Sequence, residues 1–205
     1  MIKAFLTRLI DSALSVPLIF EWQQMVCNNY GAVREAFKTH LQVRDKDILD
    51  IGCSTGTCAA TAVAMDQNRY VGIDVEPKYI DIARKRYPRG TFFAMDARHL
   101  DFENKRYDAI LIISSLHHMD DQVIVDCFKE VERVLKDDGV VLLCEPLFSK
   151  GETIGAYVSN FLLNLDRGDH IRNEEGYRRF LNRFRIVEEG YFRLSFHRFC
   201  SFVLK

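Results

Sequence analysis

A short apolar run, Asp47–Ile51, is followed by a turn of small residues that includes Gly52 and Gly56. The run is typical of a buried parallel strand, and the composition becomes helical after Gly56. Glycine permits a tight turn and lets a ligand approach the backbone closely. The helix that follows offers unpaired N–H groups and the positive end of its dipole. The pattern therefore predicts a site for an anionic group between the strand and the helix.

A carboxylate, Asp74, ends the next predicted strand, Arg69–Ile73, and lies about twenty residues beyond the glycine turn. This is the spacing of a ribose-binding acid in a nucleotide-binding βαβ unit, because an ionised carboxylate can accept hydrogen bonds from both ribose hydroxyls. An acid that caps the next helix, which opens at Glu76 and Pro77, would occupy the same position. The strand end, the spacing and the glycine turn together favour ribose binding.

Five motifs occur in an order and spacing that resemble the class I S-adenosylmethionine-dependent methyltransferases. They are Asp50–Gly56, Val71–Val75, Met95–Ala97, Leu116–His118 and Leu135–Gly139. The resemblance extends from Asp47 to Pro146 and is weaker in the flanks. One departure is visible, because the family usually has glycine where this chain has Ser54.

The resemblance implies an α/β fold of the Rossmann-like, doubly wound type. Its sheet would be mostly parallel and seven-stranded, in the order 3-2-1-4-5-7-6, with the last strand antiparallel. Helices would cover both faces, and N-terminal helices would form a lid. Independently, two runs rich in β-forming residues on either side of Ser195 predict a C-terminal hairpin.

The resemblance also implies S-adenosyl-L-methionine as the cofactor, with S-adenosyl-L-homocysteine as the product. In the family, the acid at the position of Asp96 bonds the adenine amino group, and the N–H of the next residue, Ala97, reaches a ring nitrogen. A turn residue is the alternative reading of Asp96. The expected cofactor contacts are Tyr30, Asp50, Gly52, Cys53, Ser54, Thr55, Gly56, Asp74, Val75, Asp96, Ala97 and Ser114.

His117 and Glu145 follow the fourth and fifth predicted strands, at the sheet edge where open α/β folds bind ligands. A histidine that faces the transferred methyl group can accept a proton from an oxygen or nitrogen nucleophile. The alternative is that His117 and His118 pack against or cap the next helix. Glu145 is a weaker candidate for a polar substrate contact. No metal-ligand cluster is evident in the sequence, so metal-independent chemistry is predicted.

The chain of 205 residues, with 48% hydrophobic and 28% charged residues, suits one globular domain. We expect a single methyltransferase domain over 1–205. Its parts would be N-terminal helices (1–45), a cofactor-binding core (46–147), a substrate-pocket insertion (148–184) and a C-terminal hairpin (185–205). Several arginines of the last two parts suggest an anionic substrate, although a solvated helix face is the commoner explanation. They are Arg172, Arg178, Arg179, Arg183 and Arg185.

A formal net charge of −1 and the lack of a basic stripe disfavour nucleic acid as a partner. Six cysteines without a CxxC pair indicate reduced thiols and a cytoplasmic protein. Arg8 and Asp11 interrupt the apolar N-terminal stretch, which argues against a signal peptide or a membrane span. We expect a monomer or homodimer.

The predicted function is methyl transfer to a small-molecule acceptor on oxygen, nitrogen or carbon. A protein acceptor is one alternative, and a non-catalytic cofactor-binding regulatory protein is another. A nicotinamide-dependent dehydrogenase is a distant alternative, because its GxGxxG fingerprint fails at Ser54 and Thr57.

Overall fold

A computed structural model describes residues 33, 35, 37–41, 44–57, 63, 67–148, 170–194 and 197–205. These ranges form a seven-stranded sheet in the order β3-β2-β1-β4-β5-β7-β6. The strands are β1 (Asp47–Ile51), β2 (Arg69–Asp74), β3 (Thr91–Ala94), β4 (Tyr107–Ile113), β5 (Leu135–Leu147), β6 (Ile186–Leu194) and β7 (His197–Leu204). Neighbours from β3 to β5 pair in parallel, whereas β7 pairs antiparallel with both β5 and β6. The predicted strand order and the antiparallel last strand are confirmed.

The helices begin at residues whose side chains cap them. Asp120 accepts a hydrogen bond from the N–H of Val123 at 2.9 Å, and Asn173 accepts one from the N–H of Gly176 at 2.8 Å. The described helices are α1 (Lys38–Leu41), α2 (Pro77–Arg86), α3 (Asp121–Val134) and α4 (Glu174–Arg178), and short 3₁₀ turns span Leu116–His118 and Leu181–Arg183.

Apolar side chains on both faces of the sheet are buried in two separate cores. Along β4, Ile110 and Ile112 belong to one core, and Ala109 and Leu111 belong to the other. This alternation follows from the period of two in a strand. Because helices cover both faces, the central strands are near-continuous apolar runs, as expected for a parallel sheet. Helix α3 contributes to the first core through Ile124, Cys127, Phe128, Val131 and Val134, and helix α2 contributes to the second through Ile80 and Ala83.

The fifth strand is longer than predicted. The sequence suggested a turn before a strand over Val140–Cys144, but β5 extends over Leu135–Leu147. Leu135 pairs with Tyr107, and the next pair joins Val140 to Ala109, so a bulge absorbs the intervening residues within the strand. At its other end β5 continues because β7 pairs with it as far as Leu147.

Some predictions fall on residues outside the described ranges. They include Tyr30, most of the N-terminal helices and the greater part of the insertion at 148–184. The division into four parts therefore stays a prediction. No helix among the described residues is long and apolar enough to cross a bilayer. The described cysteines, Cys53, Cys127, Cys144 and Cys200, are buried.

The packing of α3 predicts a large stability loss for Phe128→Ala. Phe128 is 1% exposed and lies 5.6 Å from the Phe184 ring, centroid to centroid. We expect its removal to lower the free energy of unfolding by about 3–5 kcal/mol, measured by urea denaturation. Phe93→Ala is the control, because Phe93 is 38% exposed on β3 and should cost about 1 kcal/mol. Equal losses for the two variants would contradict the core assignment.

Candidate active site

A cavity of about 520 Å³ lies at the carboxyl ends of the parallel strands. Cavities of this size hold small ligands. The strand order reverses between β1 and β4, and such a switch point is where open α/β sheets bind ligands. Most of the predicted contacts line it, namely Asp50, Gly52, Cys53, Ser54, Asp74, Val75, Asp96, Ala97 and Ser114. Thr55 and Gly56 are not among the lining residues, since they lie deeper in the turn, where both are buried.

Gly52 lets the ends of β1 and β4 approach each other. It has φ of 75°, and a Cβ added there would lie 2.1 Å from Oγ of Ser115. Ser115 Oγ instead donates to the carbonyl of Ile51 at 3.0 Å, which joins the two strand ends. The glycine is therefore required both for its left-handed backbone and for its lack of a side chain.

Ser54 adopts φ of 50°, a left-handed conformation that costs a non-glycine residue on the order of 1 kcal/mol. This is the position where the resembled family usually has glycine. Its N–H donates to Asp74 Oδ2 at 2.9 Å, which holds the turn against the end of β2. Its buried Oγ has no hydrogen-bond partner within the described ranges. A hydroxyl left in this state at the cavity wall fits a site that receives a polar ligand.

Asp50 is the most deeply buried acid of the cavity, with 1% exposure. Tyr70 donates its hydroxyl hydrogen to Asp50 Oδ2 at 2.6 Å. Burial raises the pKa of Asp50 from 3.8 to about 7, and the Tyr70 hydrogen bond opposes this shift. Asp50 is therefore partly protonated near neutral pH.

The other two acids lie in different surroundings. Burial raises the pKa of Asp74, although the N–H groups of Glu76 and Ser54 donate to its carboxylate and favour the ionised form. Asp96 is paired with Arg98, whose Nη2 lies 2.6 Å from Oδ2, and this hydrogen bond lowers the pKa of Asp96. Arg98 thus holds Asp96 as a hydrogen-bond acceptor at the cavity wall.

The predicted positions of His117 and Glu145 require correction. Glu145 lies inside β5 and is fully buried, so it does not line the cavity. It accepts hydrogen bonds from the N–H groups of Ser115 and Leu116, and its Oε2 is 2.9 Å from Nδ1 of His117. His117 is 1% exposed and is also absent from the cavity lining. The 3₁₀ turn directs this histidine inward, toward Glu145.

Sequence reasoning missed several lining residues. His118 lines the cavity where His117 was expected, and His170 lines it from the end of the insertion. The backbone N–H of His170 donates to the carbonyl of His117 at 3.1 Å, which brings the two segments together. The adjacent histidine pair was the available signal, but only the turn geometry decides which one faces the cavity. The remaining missed residues include Tyr79, Met119, Asp120 and Val123.

Among the residues that the structure describes, four of the five arginines considered as substrate ligands, all except Arg185, are paired with acids of the protein. Asp121 binds both Arg172 and Arg179, while Arg178 binds Glu189 and Arg183 binds Glu132. These pairs leave little support for an anionic substrate held by the four arginines. Within the described ranges, no group of three or more histidine, cysteine or acidic residues has the arrangement of a metal site.

Comparison with known proteins matches residues 48–139 to a family described as a methyltransferase domain. Demethylmenaquinone methyltransferase from Chlorobaculum tepidum is 29% identical over 126 residues, which are 60% of this chain and 51% of that protein. A SAM-dependent methyltransferase structure from Methanosarcina mazei has a TM-score of 0.69 at 19% identity, over 82% of this chain and 96% of that one. Another similar structure is phosphoethanolamine N-methyltransferase 2 from Haemonchus contortus, solved in complex with phosphomonomethylethanolamine and S-adenosylhomocysteine. Its TM-score is 0.74 at 15% sequence identity, and the match covers 95% of this chain and 58% of that one.

The domain match over residues 48–139, the strand order and these relatives agree with the resemblance to class I S-adenosylmethionine-dependent methyltransferases. The resemblance seen in the sequence is confirmed. The chain spans about half the length of the curated relatives it matches. The solved structures, all below 25% identity, support the fold.

The environment of Asp50 predicts how stability depends on pH. Between pH 3.8 and about 7 the folded protein keeps a proton on Asp50 that the unfolded chain has lost. The free energy of unfolding should therefore fall as the pH rises through this window, and Asp50→Asn should remove this fall. At pH 8 the variant should be more stable than the wild type by up to about 4 kcal/mol, since each pKa unit is worth about 1.4 kcal/mol.

Urea denaturation at a series of pH values measures this dependence. Tyr70→Phe is the matched variant, because it removes the hydrogen bond that favours the ionised form and should extend the fall to higher pH. Parallel pH curves for the wild type and Asp50→Asn would contradict the assignment of the shift to Asp50.

Proposed function

We propose that this protein transfers a methyl group from S-adenosylmethionine to a small-molecule acceptor. The observation that carries the proposal is a cavity that is lined by a glycine turn and by acids at the ends of β1, β2 and β3. The family of the domain supports the cofactor. When bound, the cofactor supplies an electrophilic methyl group on a sulfonium, so the protein must chiefly orient the acceptor and exclude water.

We assign the cofactor contacts from the polarity of the cavity wall. Asp74 has carboxylate lone pairs left beyond those used by Ser54 and Glu76, and these suit the two ribose hydroxyls. Asp96 suits the adenine amino group, and the exposed side chain of Val75 suits the face of the ring. The turn from Gly52 to Ser54, with Asp50 beneath it, and Ser114 from β4 are assigned to the amino-acid end.

We assign the acceptor to the part of the cavity formed by His118, Met119, Val123 and His170. Two imidazoles beside apolar side chains suit an acceptor with an apolar body and a hydroxyl or amine. His118 takes the place first given to His117 as the proton acceptor, because it lines the cavity. The demethylmenaquinone methyltransferase relatives support a small acceptor, since demethylmenaquinone is a small molecule. A protein acceptor is the competing hypothesis.

Asp74→Ala should weaken cofactor binding. Loss of one or two hydrogen bonds to a charged group should raise the Kd for S-adenosylhomocysteine by about 10- to 1,000-fold, measured by titration calorimetry. Asp81→Ala, on the exposed side of α2, is the control and should bind as the wild type does. Unchanged affinity in Asp74→Ala, with folding verified by circular dichroism, would contradict the ribose assignment. Binding of NAD in preference to S-adenosylhomocysteine would favour a dehydrogenase.

His118→Gln tests the acceptor side. Transfer of labelled methyl groups to a panel of hydroxylated and aminated small molecules, and to protein extract, would first identify the acceptor. With that acceptor, the variant should lower kcat by about 10²- to 10⁴-fold, as for loss of a general base. Exposed His99, outside the cavity lining, gives the matched control His99→Gln. Wild-type turnover in His118→Gln would exclude it as a base, and labelling of protein alone would contradict the small-molecule acceptor.

A further inference from the structure

The loop between β4 and α3, residues 114–120, forms one wall of the cavity, and a buried carboxylate holds it from below. Oε1 of Glu145 accepts hydrogen bonds from the N–H groups of Ser115 and Leu116 at 2.8 and 2.7 Å. Oε2 of the same carboxylate lies 2.9 Å from Nδ1 of His117. Glu145 is fully buried, so these donors replace the water that its carboxylate would otherwise bind. The start of the loop is thereby fixed to β5.

A guanidinium holds the same loop from the other side through its carbonyl groups. Arg172 Nη1 donates to the carbonyl of Leu116 at 3.1 Å, and Nη2 donates to that of Met119 at 2.8 Å. The side chain of Arg172 is only 9% exposed. Its remaining donors bind the carbonyl of His170 at 2.7 Å and the carboxylate of Asp121. The five N–H bonds of the guanidinium thus match five observed contacts.

Arg172 also pairs, through its backbone, with Phe148, the residue that follows β5. Its carbonyl accepts a hydrogen bond from the N–H of Phe148 at 3.2 Å, so residues 148 and 172 lie side by side. Two residues earlier, the N–H of His170 donates to the carbonyl of His117. Residues 170–172 therefore contact both the β4–α3 loop and Phe148. This places His170 in the cavity that His118 also lines.

We propose that Arg172 is a positioning residue that ties the segment ending at His170 to the β4–α3 loop and thereby sets the placement of His118 and His170 in one cavity. Arg172 itself does not line the cavity. It acts through the carbonyls of Leu116 and Met119, which a smaller cation or a neutral side chain cannot bind together with Asp121. The effect on ligand affinity rests on the proposed function, whereas the effect on loop order does not.

The test compares Arg172→Gln with Arg179→Gln. Arg179 binds the same acid, Asp121, but no described contact joins its side chain to a loop carbonyl, so it is a matched control. Amide hydrogen exchange measures loop order in the ligand-free protein, and calorimetry measures the Kd for S-adenosylhomocysteine. In Arg172→Gln we expect exchange at residues 115–119 to accelerate by about tenfold or more, because the loop loses hydrogen bonds to a charged group. The Kd should rise about tenfold, because the loop begins at Ser114, which is assigned above to the amino-acid end of the cofactor. In Arg179→Gln both should stay within about twofold of the wild type.

Arg172→Lys keeps the charge but not the planar donor fork, and it should give intermediate exchange and affinity. If Arg172→Gln does not fold, Arg172→Lys tests the positioning role of Arg172 in its place. A variant that melts at a lower temperature, yet retains wild-type exchange at residues 115–119 and wild-type Kd at 25 °C, would show that Arg172 only stabilises the fold and would overturn the proposal. Failure of the wild type to bind S-adenosylhomocysteine would instead overturn the proposed function, and loop exchange would still decide the role of Arg172.

Discussion

The close approach of two neighbouring strand ends is the constraint on which the site depends. Gly52 leaves no room for a side chain against Ser115, and the Ser115 hydroxyl bonds the carbonyl of Ile51. This contact joins β1 to β4 at the point where the strand order reverses. The glycine turn and the β4–α3 loop must then diverge from a common point, and the cavity opens between them. The packing of the backbone at these strand ends therefore sets the shape of the cavity, whichever side chains line it.

Three carboxylates of the same chemical type acquire different properties from their surroundings. Asp50 is buried beneath the turn, and its pKa is raised to about 7. Asp74 ends β2 and accepts two backbone N–H groups. Asp96 is held ionised by Arg98. Burial, backbone donors and a neighbouring cation thus separate an acid that carries a proton near neutral pH from acids that act as hydrogen-bond acceptors. The three carboxyl groups of one cavity therefore differ in their pKa and in the hydrogen bonds that they can make.

The sequence predicted the strand order, and most of the predicted cofactor contacts line the cavity, because those features depend on local patterns. The apolar runs end at Asp50 and Asp74, and parallel strands bring such ends to one edge of the sheet. The inward turn of His117 and the burial of Glu145 depend instead on a contact between residues 28 positions apart. Pro146 has no N–H to donate within the sheet, yet its pairing with Phe199 on β7 extends β5 to Leu147. A local sequence pattern does not reveal such long-range contacts. They determine that His117 and Glu145 lie outside the cavity lining.

The two halves of the cavity are therefore built by different means. The side that we assign to the cofactor is formed by short motifs at strand ends, so its geometry is largely set by the sheet itself. The opposite side depends on Arg172, which lies 53 residues from Met119 and 56 from Leu116. The side that we assign to the acceptor thus depends on contacts between residues that are far apart in the sequence, which no short motif encodes.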